Sequence, residues 1–177
     1  YVQHQPDGTP YDERTALADA VIEAARSVGI RICLLRVAYH RGGHDKPAEE
    51  GQRRFCDPDI DTVLADVDAL RSRYAGDELV EVGLAMHSVR AVPLPWIQRG
   101  SEYAKSHALP FHMHLSEQRK ELEECVAEHG TTPVQLMADH GILDKRFVAV
   151  HATHLSPSEI DALGRARSFV CVCRTTE

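Results

Sequence analysis

Helical periodicity and short aliphatic runs take turns along this chain, and that alternation restricts it to an α/β fold built on a parallel sheet. Thr15 to Val28 carries Ala, Leu, Val and Ile at helical spacing and closes on Gly29, a residue type favoured just past a helix C-terminus. Ile30 to Tyr39 is β-branched and aliphatic with little alternation, as expected of a strand covered on both faces. A long loop, His40 to Pro58, is rich in Gly, Pro and charge, and loops of this length tend to be functional. The order then repeats, with a helix over Asp59 to Tyr74, a turn at Gly76-Asp77 and a strand over Leu79 to Met86. Pro93 or Pro95 opens a helix running to about His107, and Pro110 breaks it before a strand over Phe111 to Leu115. Helices are predicted over Glu117 to His129 and Pro133 to His140, and a strand over Phe147 to His151. A helix over Ser156 to Arg165, begun by Ser-Pro-Ser-Glu, and a strand over Ser168 to Cys173 close the series. Tyr1-Val2 would end an earlier strand.

Periodicity does not choose between an open doubly wound sheet and a barrel. The polar residues do, because they recur at the C-terminal ends of the strands: Tyr39, His87, His114 with Glu117, His151, and Thr175-Thr176-Glu177. A (β/α) barrel keeps its site at that rim, whereas an open sheet that binds phosphate needs a Gly-rich loop after a strand, which this sequence lacks. A complete barrel takes about 250 residues. These 177 supply only five or six βα units. The expectation is therefore an α/β fold, a partial (β/α)8 TIM-type barrel without its first and last strands, with residues 1–177 as a single domain.

Twenty Lys and Arg against 27 Asp and Glu leave a formal charge of -7, which argues against nucleic acid and for a small-molecule partner. No apolar run approaches the roughly 20 residues of a membrane span, and the polar residues at the start are unlike a signal peptide. A cytoplasmic setting is expected, with a homodimer left open. The five cysteines, Cys33, Cys56, Cys125, Cys171 and Cys173, form no C-x-x-C pair and are read as reduced, mostly buried thiols.

The stretch Phe111-His112-Met113-His114-Leu115-Ser116-Glu117-Gln118 is the most informative. Strand alternation puts His112 and His114 on one face. His114, nearer the strand end, can offer an imidazole nitrogen to a metal, and Glu117 can reach a water there. Metal-assisted hydrolysis divides its labour in that way: the metal brings the pKa of a water toward neutrality, and a carboxylate carries its proton to the leaving group. The alternative is that both histidines fill a core and Glu117 sits at a helix N-terminus, where the dipole favours it. Met86-His87-Ser88-Val89-Arg90-Ala91-Val92 and Val150-His151-Ala152-Thr153-His154 end two further strands with histidine, and three such strand ends on one rim favour a site.

Together with the Tyr1-to-Gly8 segment, Gly51-Gln52-Arg53-Arg54-Phe55 and Thr175-Thr176-Glu177, these motifs resemble the amidohydrolase superfamily in its deaminase branch, and within it the formimidoylglutamate deiminases of histidine degradation. The resemblance implies zinc, one ion per site, with His114 as a ligand, Glu117 as proton carrier and His151 orienting the attacking water. It also implies that Tyr1, His87 and Arg90 contact the substrate. Arg90 suits that role on its own chemistry, since a guanidinium binds a carboxylate bidentately and N-formimidoyl-L-glutamate carries two.

The family's metal site also draws on a His-x-His pair of the first barrel strand and an Asp at the end of the last. Neither segment is in this chain, and the order of the motifs places His112-x-His114 too late to be that pair. By itself the chain is expected to be inactive. Arg174 stands where relatives usually have Pro. Another deaminase acting on a purine, a pyrimidine or an amidine, and a noncatalytic barrel module, are the competing readings.

Overall fold

The structure is a computed structural model that describes residue 2 and residues 4–175. Five parallel strands, β1 (Ile32–Ala38), β2 (Val80–Met86), β3 (Phe111–Leu115), β4 (Phe147–His151) and β5 (Phe169–Cys171), pair strictly in chain order. An order that never reverses has no topological switch point, so the doubly wound alternative falls and the sheet is a partial barrel wall. Helices α1 (Ala16–Ser27), α2 (Ile60–Arg73), α3 (Leu94–Ser106), α4 (Arg119–His129), α5 (Pro133–Asp139) and α6 (Pro157–Ala166) alternate with the strands. No helix among the described residues is long and apolar enough to cross a membrane.

Local chemistry explains most element boundaries. The Asp59 side chain accepts the Thr62 N–H at 2.7 Å and opens α2. Ser156 and Glu159 form a reciprocal capping box that opens α6. Gly130 ends α4 at φ +74°, in the left-handed region that glycine tolerates without strain. In β1, Leu34, Arg36 and Ala38 are buried while Cys33, Leu35 and Val37 on the other face are more open. The core cluster runs from Ile22 of α1 through Val63 and Val67 of α2 to Leu84, Met113 and Phe147 of the sheet. Gly83 is needed where β1, β2 and the β3 entry meet, because a Cβ there would lie 2.8 Å from Leu35 Cδ2 and 3.0 Å from the Pro110 carbonyl oxygen.

Four expectations need correction. The helix predicted from Glu117 begins at Arg119, with Gln118 as its N-cap, because the chain first turns through Ser116 at φ +53°. The last strand is three residues rather than six. The long loop holds a 3-10 helix, Glu50–Phe55. The cysteines are not mostly buried: only Cys125 is, while Cys33 and Cys171 lie exposed on the two outer strands of the sheet. Tyr1 lies outside the described residues, as do Thr176 and Glu177, and Val2 is in no strand.

Arg36 is the feature that periodicity hides. In the middle of β1 and 1 % exposed, it donates through Nε and Nη2 to Asp66 Oδ2 at 3.0 and 2.8 Å, and through Nη1 to Asp57 Oδ2 at 3.2 Å. Arg14 closes the network with two 3.0 Å bonds to Asp66. Burial by itself would lower the Arg36 pKa, but Asp57 and Asp66 outweigh it and hold the guanidinium above its ordinary value. The Asp57 N–H donates to the Tyr39 carbonyl at 2.7 Å, so the network anchors the residue that follows β1.

Candidate active site

Four successive strands deliver a ring to one rim. Tyr39 after β1 meets His87 after β2 edge-on at 4.7 Å between centroids; His87 lies 4.9 Å from His114 of β3, and His114 stacks on His151 of β4 at 5.4 Å. Parallel pairing without a register break produces this row: Ala38 aligns with Met86, and Leu115 with His151. His112, two residues before His114 on the same face, pairs with Val148 one layer deeper, and burial lowers its pKa.

His114 is fixed by one carbonyl. Its backbone N–H donates to His87 O at 3.2 Å and its Nδ1 lies 2.6 Å from the same oxygen. A carbonyl only accepts, so Nδ1 carries a hydrogen, and in the neutral ring Nε2 is then the nitrogen with the lone pair. That is the tautomer a metal-ligating histidine needs, and the residue present fits zinc in this respect. One imidazole is a ligand and not a set, and no three His, Cys, Asp or Glu side chains among the described residues stand together as a metal site. His87 has its pKa pushed down to about 4, first by burial and then by His114 and Arg90, so it is neutral near pH 7; its Nδ1 meets Ser88 Oγ at 3.1 Å.

Glu117 brings its Oε1 to 3.6 Å from His151 Nε2. Both residues sit on strained turns: Ser116, His151 and Ala152 all have positive φ, at +53°, +73° and +53°. For side chains other than glycine such a conformation costs about 1–3 kcal/mol and persists only where neighbours over-determine it. Here the two turns hold each other, since Ala152 N–H donates to Leu115 O and His154 N–H to Ser116 O, each at 2.9 Å. On the other side Glu121 accepts the N–H groups of Ser116 and Glu117, both at 3.0 Å. Burial raises the Glu121 pKa, and these two bonds counter it.

Arg90 donates from Nη1 to Gly42 O at 2.9 Å and to the Tyr39 hydroxyl at 3.3 Å; its other N–H groups make no hydrogen bond among the described residues. A cavity of about 360 Å³ opens in front of them, lined by Gly42, Lys46, Gln52, His87, Arg90, His114, Glu117 and Glu121, among others. Of the residues expected at the site, His87, Arg90, His114, Glu117 and His151 all stand at this rim, and Tyr1 lies outside the described residues. Tyr39 is expected at this rim from its place at a strand end, whereas neither Lys46 nor Glu121 stands out in the sequence. A carboxylate in the first turn of a helix that follows a strand-end motif was the available signal for Glu121.

The amidohydrolase family model matches residues 7–177. The formimidoylglutamate deiminase of Pseudomonas aeruginosa is 38% identical over 181 residues, covering 100% of this chain and 39% of that protein. A 5-methylthioadenosine/S-adenosylhomocysteine deaminase of Thermodesulfovibrio yellowstonii is 28% identical over 165 residues, covering 93% of this chain and 35% of its own length. The crystal structure of an amidohydrolase from Brucella melitensis superposes with a TM-score of 0.92 at 34% identity, covering 99% of this chain and 39% of the other. The chain thus spans about two fifths or less of these relatives. With its strand order, its rim of histidines and a family model that matches nearly its whole length, the chain belongs to the amidohydrolase family.

Proposed function

We propose that residues 1–177 form the central part of one barrel domain in a zinc-dependent deaminase that hydrolyses N-formimidoyl-L-glutamate to N-formyl-L-glutamate and ammonia. The observation that carries the substrate is Arg90: its guanidinium is tethered at Nη1 and has further N–H groups to offer on the cavity that His114 and Glu117 also line. A pre-positioned planar fork of donors suits a carboxylate, and the 38% identity to a formimidoylglutamate deiminase over the whole chain supports that choice.

In this reading His114 holds the metal through Nε2, with the remaining ligands supplied from outside this chain. Zinc, when bound, would supply Lewis acidity that brings the pKa of a water toward neutrality. Glu117 takes the proton from the attacking water and delivers it to the departing nitrogen, for which its half-buried position beside the cavity is suited. His151, 3.6 Å from Glu117, orients that water. His87, kept neutral by burial, lines the same cavity as Arg90 and His114 and contacts the substrate without bringing a competing charge.

The relatives named as 5-methylthioadenosine/S-adenosylhomocysteine deaminases favour an aminopurine nucleoside as the second reading. Ammonia release by the full-length protein decides between them. Turnover of N-formimidoyl-L-glutamate, with none of 5-methylthioadenosine, is expected. The reverse preference would overturn the proposal.

A further inference from the structure

We infer that Glu121 is a positioning residue: its carboxylate holds the backbone N–H groups of Ser116 and Glu117 and thereby sets where the Glu117 carboxylate stands. The inference rests on the role proposed above for Glu117. Glu117 does not lie on a helix; it occupies the turn between β3 and α4, where a side chain is only as well placed as the backbone beneath it. That turn passes through Ser116 at φ +53°, a residue with no exposed surface whose Oγ has no hydrogen-bond partner among the described residues. Nothing on the Ser116 side chain therefore secures the turn.

Two backbone restraints do. The Ser116 carbonyl is held from the β4 side by His154 N–H at 2.9 Å. The Ser116 and Glu117 N–H groups, successive donors pointing to one place, form a small anion-binding concavity that the Glu121 carboxylate fills with one oxygen on each, at 3.0 Å. Glu121 reaches them from the first turn of α4, so the helix is tied back to the strand end through this one side chain. No other side chain accepts either donor among the described residues. Losing the clamp leaves Glu117 attached to a turn held from one side only.

The clamp is tested in the zinc-loaded full-length protein with Glu121→Gln and Glu121→Ala. A glutamine keeps one acceptor oxygen and alanine keeps none, so the expected order of kcat is Glu, then Gln, then Ala. Losses of about 10-fold and about 100-fold are expected, the scale of an ångström-sized misplacement, with KM within about threefold of the parent. Zinc content by atomic absorption and affinity for N-formyl-L-glutamate by calorimetry should not move, and Glu123→Gln, on the exposed side of α4, should match the parent. Three results would overturn the inference: an alanine variant with parental kcat; equal losses in Gln and Ala, which would assign the effect to charge; or zinc content falling in step with kcat. Should the alanine variant not fold, the crystal structure of Glu121→Gln serves instead, and an unchanged 3.6 Å Glu117 to His151 separation with parental kcat refutes the clamp. A parent that deaminates 5-methylthioadenosine instead removes the substrate proposal, and the same series on that nucleoside still tests Glu121. Parental kcat in Glu117→Gln would remove the role of Glu117 itself.

Discussion

Replacing Arg36 with methionine should cost the protein about 3–5 kcal/mol, because it strands a buried carboxylate. The two acids it now serves would fare differently. Asp66 would keep both 3.0 Å bonds from Arg14. Asp57, 2 % exposed, would keep only the Tyr39 N–H at 3.4 Å. Almost the whole penalty therefore falls on Asp57, and it is a large share of the roughly 5–15 kcal/mol by which a domain is stable. The assay is urea denaturation followed by far-ultraviolet circular dichroism on the parent, Arg36→Met, Asp57→Asn and the double variant. If the stranded charge is the cause, Asp57→Asn placed on top of Arg36→Met restores most of the lost stability, giving a strongly non-additive cycle. A cost below about 1 kcal/mol for Arg36→Met, or a double variant less stable than Arg36→Met alone, would refute the reasoning.

Other outcomes follow from the same geometry. Glu117→Gln should lower kcat roughly 10²–10⁴-fold while zinc content stays at the parental level, the range expected for a lost proton carrier. Arg90→Ala should raise KM for N-formimidoyl-L-glutamate by about 10–100-fold, the equivalent of a lost hydrogen bond to a charged group, and steady-state kinetics against a substrate without carboxylates should show no such rise. Gly42→Ala would set a Cβ 2.5 Å from the Pro47 carbonyl oxygen, so the turn must shift and carry the Arg90 acceptor with it; KM should rise in the same direction as for Arg90→Ala. Cys125, with its thiol pushed up to about 12 by burial and then by the nearby Glu121, should resist Ellman's reagent at pH 8, and Cys125→Ala should remove no fast-reacting thiol. Its folded pKa lies above the unfolded value of about 8.5, so its contribution to stability is intact below that pH and declines as pH rises toward 12, which denaturation at pH 8 and pH 10.5 would reveal.

Helix and strand order were legible because the forces that set them are local. Asp59 and Ser156 cap helices within three residues of themselves, and Gly29 closes a helix with its own φ of +74°. Strand-end histidines could be recognised as neighbours because parallel strands in chain order carry like positions to one rim. Three properties were beyond sequence reasoning. Arg36 lies inside a run whose pattern reads only as aliphatic, and only folding brings it Asp57 and Asp66, 21 and 30 residues away. The Arg90 guanidinium is aimed by Gly42, 48 residues distant. Glu117 was placed on a helix by propensity, yet a left-handed Ser116 puts it on a turn, held by contacts from α4 and from the end of β4. Periodicity and capping report what a residue does with its near neighbours along the chain. Which buried charge meets which, and how a strained turn is held, depend on contacts between segments far apart in sequence that exist only once the chain has folded.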